Sequence, residues 1–154
     1  MDLSQRMLEK CVFRGCYNSL ILGDAVEFLE SVMPSSVDSI IAADVFIYVG
    51  DLNKILKSSY NALKEKNSFL IFTIEEMIID TVESVIPNFD KKFDNGFQLR
   101  ECGRFSHSEK YVRDLAHELG FDVISSEKQF IRLQSEIPVR SITFVLSKRW
   151  FNFP

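Results

Sequence analysis

Hydrophobic and polar positions change period several times along the chain, and the clearest change surrounds residues 37–52. Ser39-Ile40-Ile41-Ala42-Ala43 is a short apolar run with β-branched residues, the length of a buried strand. Asp44 follows it directly. A charge at the end of such a run must be solvated or paired. In open α/β sheets, ligands bind just outside the carboxyl ends of the strands, and Asp44 is expected there. Gly50-Asp51 supplies a turn and an N-cap. An amphipathic helix over 51–66 follows, with Leu52, Ile55, Leu56, Ser59 and Leu63 as its inward stripe. Lys64 and Lys66 complement the dipole in its last turn.

The flanking segments repeat this alternation. Ser4 caps a helix that carries Met7, Leu8 and Cys11 on one face and ends near Gly15. Residues 16–24 read as a strand and its exit. Residues 25–32 read as a short helix with Val26, Phe28, Leu29 and Val32 apolar, broken at Pro34. The strongest strand is 68–74, ending in Glu75-Glu76. A short helix is expected within 77–86, stopped by Pro87, and then a loop over 88–96. An insertion of that length serves either as a lid or as a plain surface loop.

Residues 97–100 form a short strand pattern. Ser106 with Glu109 fits a capping box, and Ser108 is a rival cap. The helix they open carries Tyr111, Val112, Leu115, Ala116 and Leu119 inward and stops at Gly120. Residues 121–133 and 139–148 read as two long strands. Their connection is too short for a parallel crossover, so they make an antiparallel hairpin. The order predicts an α/β fold: a mostly parallel Rossmann-like sheet with helices on both faces and the hairpin closing one edge.

Composition excludes several functions. The 154 residues form one domain, 46% apolar and 26% charged, with a net charge of −4. That charge argues against a phosphate-gripping nucleic-acid surface. Cys11, Cys16 and Cys102 match no zinc or redox spacing, and with only His107 and His117 no metal site is expected. No apolar run reaches a membrane span, and the N-terminal residues lack a signal-peptide pattern. A cytoplasmic protein with reduced thiols is expected.

Five segments in register then resemble one family. They are M-D-L-S-Q-R-M-L-E-K, Y-N-S-L-I-L-G-D-A, D-S-I-I-A-A-D-V-F-I-Y-V-G-D-L, A-L-K-E-K-N-S-F-L-I-F-T-I-E-E and G-R-F-S-H-S-E-K-Y-V-R-D-L-A. Together they resemble the class I S-adenosylmethionine-dependent methyltransferases, particularly those linked to tetratricopeptide repeats. The resemblance implies S-adenosylmethionine as cofactor and a small molecule or protein as methyl acceptor. It implies that Asp2 binds the cofactor ribose, a task suited to a carboxylate facing a diol. It sets Asp24 and Ala25 against the adenine, and Ala43 and Asp44 beside the methionine end and the acceptor. Tyr48 and Arg104 would face the acceptor, and Asp44 or His107 would supply a base where the acceptor needs one. From the residues alone, Asp24 also reads as a helix cap, Asp44 as a surface acid and His107 as a loop residue beside a cap.

One departure matters. The family's first strand and glycine-rich loop have no counterpart here: Gly15, Gly23, Gly50, Gly96, Gly103 and Gly120 are all isolated. The chain therefore resembles the later two-thirds of the domain. It is expected to bind the cofactor weakly by itself and to expose sheet edges that favour self-association. The alternative function is a non-catalytic remnant or interaction module.

Overall fold

Phe69–Glu76 (β2) is the strand on which the remaining strands are registered. The computed structural model describes residues 1–77, 95–134 and 137–149. The helix expected within 77–86 and most of the loop over 88–96 lie outside them, as does the tail at 150–154. The other elements in chain order are α1 (Gln5–Arg14), α2 (Ala25–Ser31), β1 (Ser39–Ala42), a 3-10 turn (Phe46–Tyr48) and α3 (Asn53–Ala62). After β2 come β3 (Phe97–Leu99), β4 (Phe105–His107), α4 (Glu109–Glu118), β5 (Phe121–Gln134) and β6 (Ile137–Lys148).

One edge of β2 pairs antiparallel with β6, from Phe69↔Ser147 to Glu75↔Ser141. Its other edge is shared. β1 pairs parallel with the first half, Ser39↔Phe69 to Ala42↔Phe72, and β4 pairs parallel with Glu75 and Glu76 at the carboxyl end. β3 adds antiparallel to β4, and β5 adds antiparallel to β6 as the edge strand. The fold is thus a mixed Rossmann-like α/β sheet with the expected C-terminal hairpin.

Alternation along β2 explains where the core sits. Leu70, Phe72 and Ile74 share one face with Ile142, Phe144 and Leu146 of β6, all fully buried. Leu29 of α2, Ile55 and Leu56 of α3, and Val112, Leu115 and Ala116 of α4 close over them. Phe72 sits between Phe46 and Phe144, with ring centroids 4.7 and 5.4 Å away. Helices α2, α3 and α4 all join this one core, rather than being divided between two faces. On the opposite face Ile41 is 72% exposed, and Ile71 and Val145 are half-buried.

Three local expectations change for tertiary reasons. Helix α3 spans Asn53–Ala62 rather than 51–66, and Leu52, with no side-chain cap bond, holds the N-cap position expected of Asp51. The N–H groups of Ser35, Ser36 and Val37 donate to the Asn61 and Ala62 carbonyls, and Leu63 turns extended to bridge Val37. Those bonds satisfy carbonyls that a helix end leaves open. Within 16–24 only Leu22 is bridged, in parallel to Asp2. Residues 105–107, expected as a cap loop, form β4, and Ser108 is the cap: its Oγ accepts from Tyr111 N–H at 3.1 Å.

Candidate functional site

The carboxyl ends of β1 and β2 form a rim with the turn that follows β1. Ala43 and Asp44 lie there, both exposed. Asp44 has φ +54°, a left-handed conformation uncommon for a residue with a Cβ. Its N–H donates to Thr73 Oγ1 on β2 at 2.8 Å. The 3-10 turn comes next. Phe46 and Ile47 anchor it in the core, which leaves Tyr48 61% exposed at the rim. Tyr48 hydrogen-bonds the Arg104 guanidinium, and this bond raises the Arg104 pKa above its ordinary value.

Arg104 and Arg100 flank the tight turn between β3 and β4. That turn is closed by Arg100 N–H to the Arg104 carbonyl at 2.8 Å and Gly103 N–H to the Arg100 carbonyl at 2.9 Å. Gly103 adopts φ +78°, which glycine permits without steric cost. Arg100 reaches the fully buried carboxylate of Glu75 at 3.5 Å. The neighbouring Glu76 pairs with Lys128 of β5 at 2.6 Å, and Lys128 also reaches Glu109 at 3.2 Å. The acids that end β2 are therefore tied into ion pairs with the β3–β4 turn on one side and with β5 on the other.

His107 is fully buried in β4. Its Nε2 lies 2.9 Å from both the Val49 and Gly50 carbonyls. Both neighbours are acceptors, so Nε2 carries the proton. Nδ1 is buried with no hydrogen-bond partner. Burial lowers the His107 pKa, and the two carbonyls only partly oppose it. Its neighbour Tyr111 stacks at a centroid distance of 6.2 Å. The Tyr111 hydroxyl accepts from Leu52 N–H at 2.9 Å and donates to Asp51 Oδ1 at 3.0 Å. Burial pushes its pKa up to about 12. His107 and Tyr111 thus grip four consecutive residues, Val49 to Leu52, immediately after Tyr48.

Asp2 bridges Leu22, two residues before Asp24. The Asp2 N–H donates to the Ile21 carbonyl and the Gly23 N–H to the Asp2 carbonyl, both at 3.1 Å. Asp2 Oδ1 accepts from Ser4 N–H at 2.8 Å. Asp24 caps α2, its Oδ1 accepting from Val26 and Glu27 N–H at 2.8 and 3.2 Å, and Ala25 opens that helix. The far end of α2 meets Lys148, at the opposite end of the sheet, around a cavity of about 360 Å³. Asp24, at the near end of α2, therefore lies toward the same end of the sheet as Asp44. Glu75, Arg100, Thr73 and Tyr111 were not singled out by the sequence as site residues. Paired acids ending a strong strand were the signal for Glu75. Thr73 and Tyr111 fit ordinary strand and helix periodicity and gave none.

Among the described residues no three His, Cys, Asp or Glu side chains converge on a metal position. Among them, too, no helix is long and apolar enough to cross a membrane.

No protein-family model matches the chain, and no curated protein matches it in sequence. Solved structures do. A SAM-dependent methyltransferase from Methanosarcina mazei matches with a TM-score of 0.68 and 15% identity, over 97% of this chain and 81% of that one. One from Leishmania major matches with a TM-score of 0.63 and 18% identity, over 95% of this chain, which spans 54% of that protein. A third is the 1,6-didemethyltoxoflavin-N1-methyltransferase from Burkholderia thailandensis with bound S-adenosylhomocysteine, at a TM-score of 0.61 and 11% identity over 96% of this chain and 59% of that one. The chain has the Rossmann-like α/β fold of the SAM-dependent methyltransferases.

Proposed function

We propose that this chain carries the adenosine-facing and acceptor-facing residues of an S-adenosylmethionine-dependent methyltransferase. The observation that carries the reading is Asp44. Strained backbone persists where the surroundings over-determine it, and such positions cluster at active sites. Asp44 is left-handed, exposed, at the carboxyl end of a parallel strand, and held by a side chain of the next strand. The finer likeness to methyltransferases linked to tetratricopeptide repeats rests on the sequence motifs alone.

The residues present fit one part of the cofactor. A carboxylate offers about four lone-pair sites. The bonds that Asp2 and Asp24 make within the chain therefore leave capacity for ribose hydroxyls and the adenine amino group. The methionine end is different. It needs backbone that can be approached closely, and the 154 residues contain no G-x-G. Gly50 and Gly96 are already packed against aromatic rings.

When bound, S-adenosylmethionine supplies an electrophilic methyl group for in-line displacement. The chain's task is then mainly to position the acceptor. In this reading Tyr48 and Arg104 orient it, and the Asp44 carboxylate takes its proton where it has one to lose. His107, with Nε2 committed to two carbonyls, orders the rim from beneath.

The test is a titration of the isotope-labelled chain with S-adenosylhomocysteine and with adenosine, followed by amide resonances. Shifts are expected at Asp2, Asp24, Ala25 and Asp44 at millimolar ligand. Thermal unfolding is expected to show no stabilisation at sub-millimolar ligand. A gain near 2.7 kcal/mol there, the value for a site at 100 times its dissociation constant, would show that these residues hold the whole cofactor. Silence at all four amides would overturn the reading.

A second reading is a module that self-associates through β1. It draws on Ile41, an exposed apolar residue on a strand that, among the described residues, pairs only with β2. Sedimentation of the wild-type chain against Ile41→Lys distinguishes it. Equal monomeric behaviour of both rules it out.

A further inference from the structure

The segment Val49–Leu52 is held by side chains from one distant unit, the β4–α4 junction. His107 Nε2 donates to the Val49 and Gly50 carbonyls at 2.9 Å. Tyr111 joins the same segment through Leu52 N–H at 2.9 Å and Asp51 Oδ1 at 3.0 Å. The fit is tight as well as polar. A Cβ on Gly50 would lie 2.8 Å from the Phe105 ring and 3.0 Å from the Phe97 ring. A Cβ on Gly96 would lie 2.3 Å from Tyr111 Cβ, a carbon with no freedom to swing away. Phe97, His107 and Tyr111 form one aromatic group, with centroids 5.7 to 6.2 Å apart.

This clamp sits directly behind Tyr48. The 3-10 turn closes onto Val49, whose N–H donates to the Phe46 carbonyl at 3.0 Å, and the Val49 carbonyl is the one His107 holds. Arg104, the partner of Tyr48, comes from the same β3–β4 hairpin that delivers His107. The unit that carries Arg104 therefore also sets the height of the turn that carries Tyr48.

We propose that Tyr111 and His107 are positioning residues that fix Tyr48 against Arg104 through the Val49–Leu52 segment. Tyr111 is the larger contributor, since its hydroxyl both accepts and donates there. The proposal rests on the rim being the acceptor site. It assigns His107 the support of that rim rather than proton transfer. The chemistry agrees, because an imidazole whose protonated nitrogen faces two carbonyls and whose other nitrogen is buried has no exposed atom for an acceptor.

The experiment follows the Arg104 Nε–H resonance of the full chain in Tyr111→Phe, His107→Leu and His107→Gln. Tyr48→Phe provides the reference for a broken Tyr48–Arg104 bond. Amide exchange at Leu52 reports whether the clamp itself has opened. In Tyr111→Phe, Leu52 exchange is expected to rise about fivefold or more, the loss of one net hydrogen bond. The Arg104 signal is expected to move toward its Tyr48→Phe position. His107→Leu should move it too, and His107→Gln, which keeps a donor of similar reach, should restore it. A purely structural role would raise Leu52 exchange while leaving the Arg104 signal at its wild-type position, and that result overturns the proposal. Failure of the site reading is separate: it would appear as silence of the Asp2, Asp24, Ala25 and Asp44 amides toward S-adenosylhomocysteine in the wild-type chain.

Discussion

The N–H of Asp44 donates to Thr73 Oγ1 at 2.8 Å, while Asp44 keeps a φ of +54°. A rim residue just past β1 is thereby pinned by a β2 side chain in a conformation its own Cβ resists. Thr73→Val removes the acceptor and is expected to cost about 1 kcal/mol in urea unfolding, with Thr73→Ser near wild type. Asp44→Gly is expected to be more stable than Asp44→Ala by about 1 kcal/mol, because glycine accepts the left-handed region at no steric cost. Equal stability of the two Asp44 variants would show that the backbone is not strained there.

Tyr111 gives an alkaline signature. Its phenol is pushed up to about 12, first by burial and then by Asp51, with the Leu52 N–H opposing. The neutral form is the one the fold favours. Its contribution to stability is therefore complete below the unfolded pKa of about 10 and is lost as pH rises toward 12. Ultraviolet titration should show one late phenol that vanishes in Tyr111→Phe. A Tyr111→Phe chain that retains the late phenol would contradict this.

His107 acts on the acid side. Burial lowers its pKa, so the folded chain disfavours the imidazolium. The stability it contributes is complete above the unfolded pKa of about 6.5 and falls as pH drops through that value toward the lower folded pKa. His107→Gln cannot titrate and should flatten the stability profile below about pH 6.5. The decisive measurement is urea unfolding at a series of pH values. Parallel profiles for wild type and variant would refute the assignment.

Lys148 tests how a buried cation is held. Its side chain is 4% exposed, with Nζ 3.0 Å from Glu65 Oε1 and 4.6 Å from the centre of the Tyr60 ring. The Lys148 hydrogen bond is the main reason the Glu65 pKa lies below its usual value. Lys148→Met keeps the stem against Tyr60 and removes the charge, and is expected to stay within about 1 kcal/mol of wild type. Lys148→Ala opens space beside the ring and should cost about 2 kcal/mol or more. Equal losses in chemical denaturation would place the whole effect in the charge.

Hydrophobic period and capping chemistry by themselves determined much of this protein. Ser4, Asp24 and Ser108 cap α1, α2 and α4, and Gly15 and Gly120 stop helices, because a cap needs only residues two to four positions away. Strands β1 and β2 and the terminal hairpin were legible from apolar runs and a connection too short for a crossover. Asp44 stood out as an acid ending an apolar strand. Tertiary structure alone decided the rest. Three residues, Phe105 to His107, become a strand only through pairing with Phe97–Leu99 of β3 and with Glu75 and Glu76 of β2. Asp44 meets Thr73 across 29 positions, His107 meets Gly50 across 57, and Tyr111 meets Asp51 across 60. Periodicity reports which face of an element is apolar. Strand register and helix docking decide which distant groups that face finally touches.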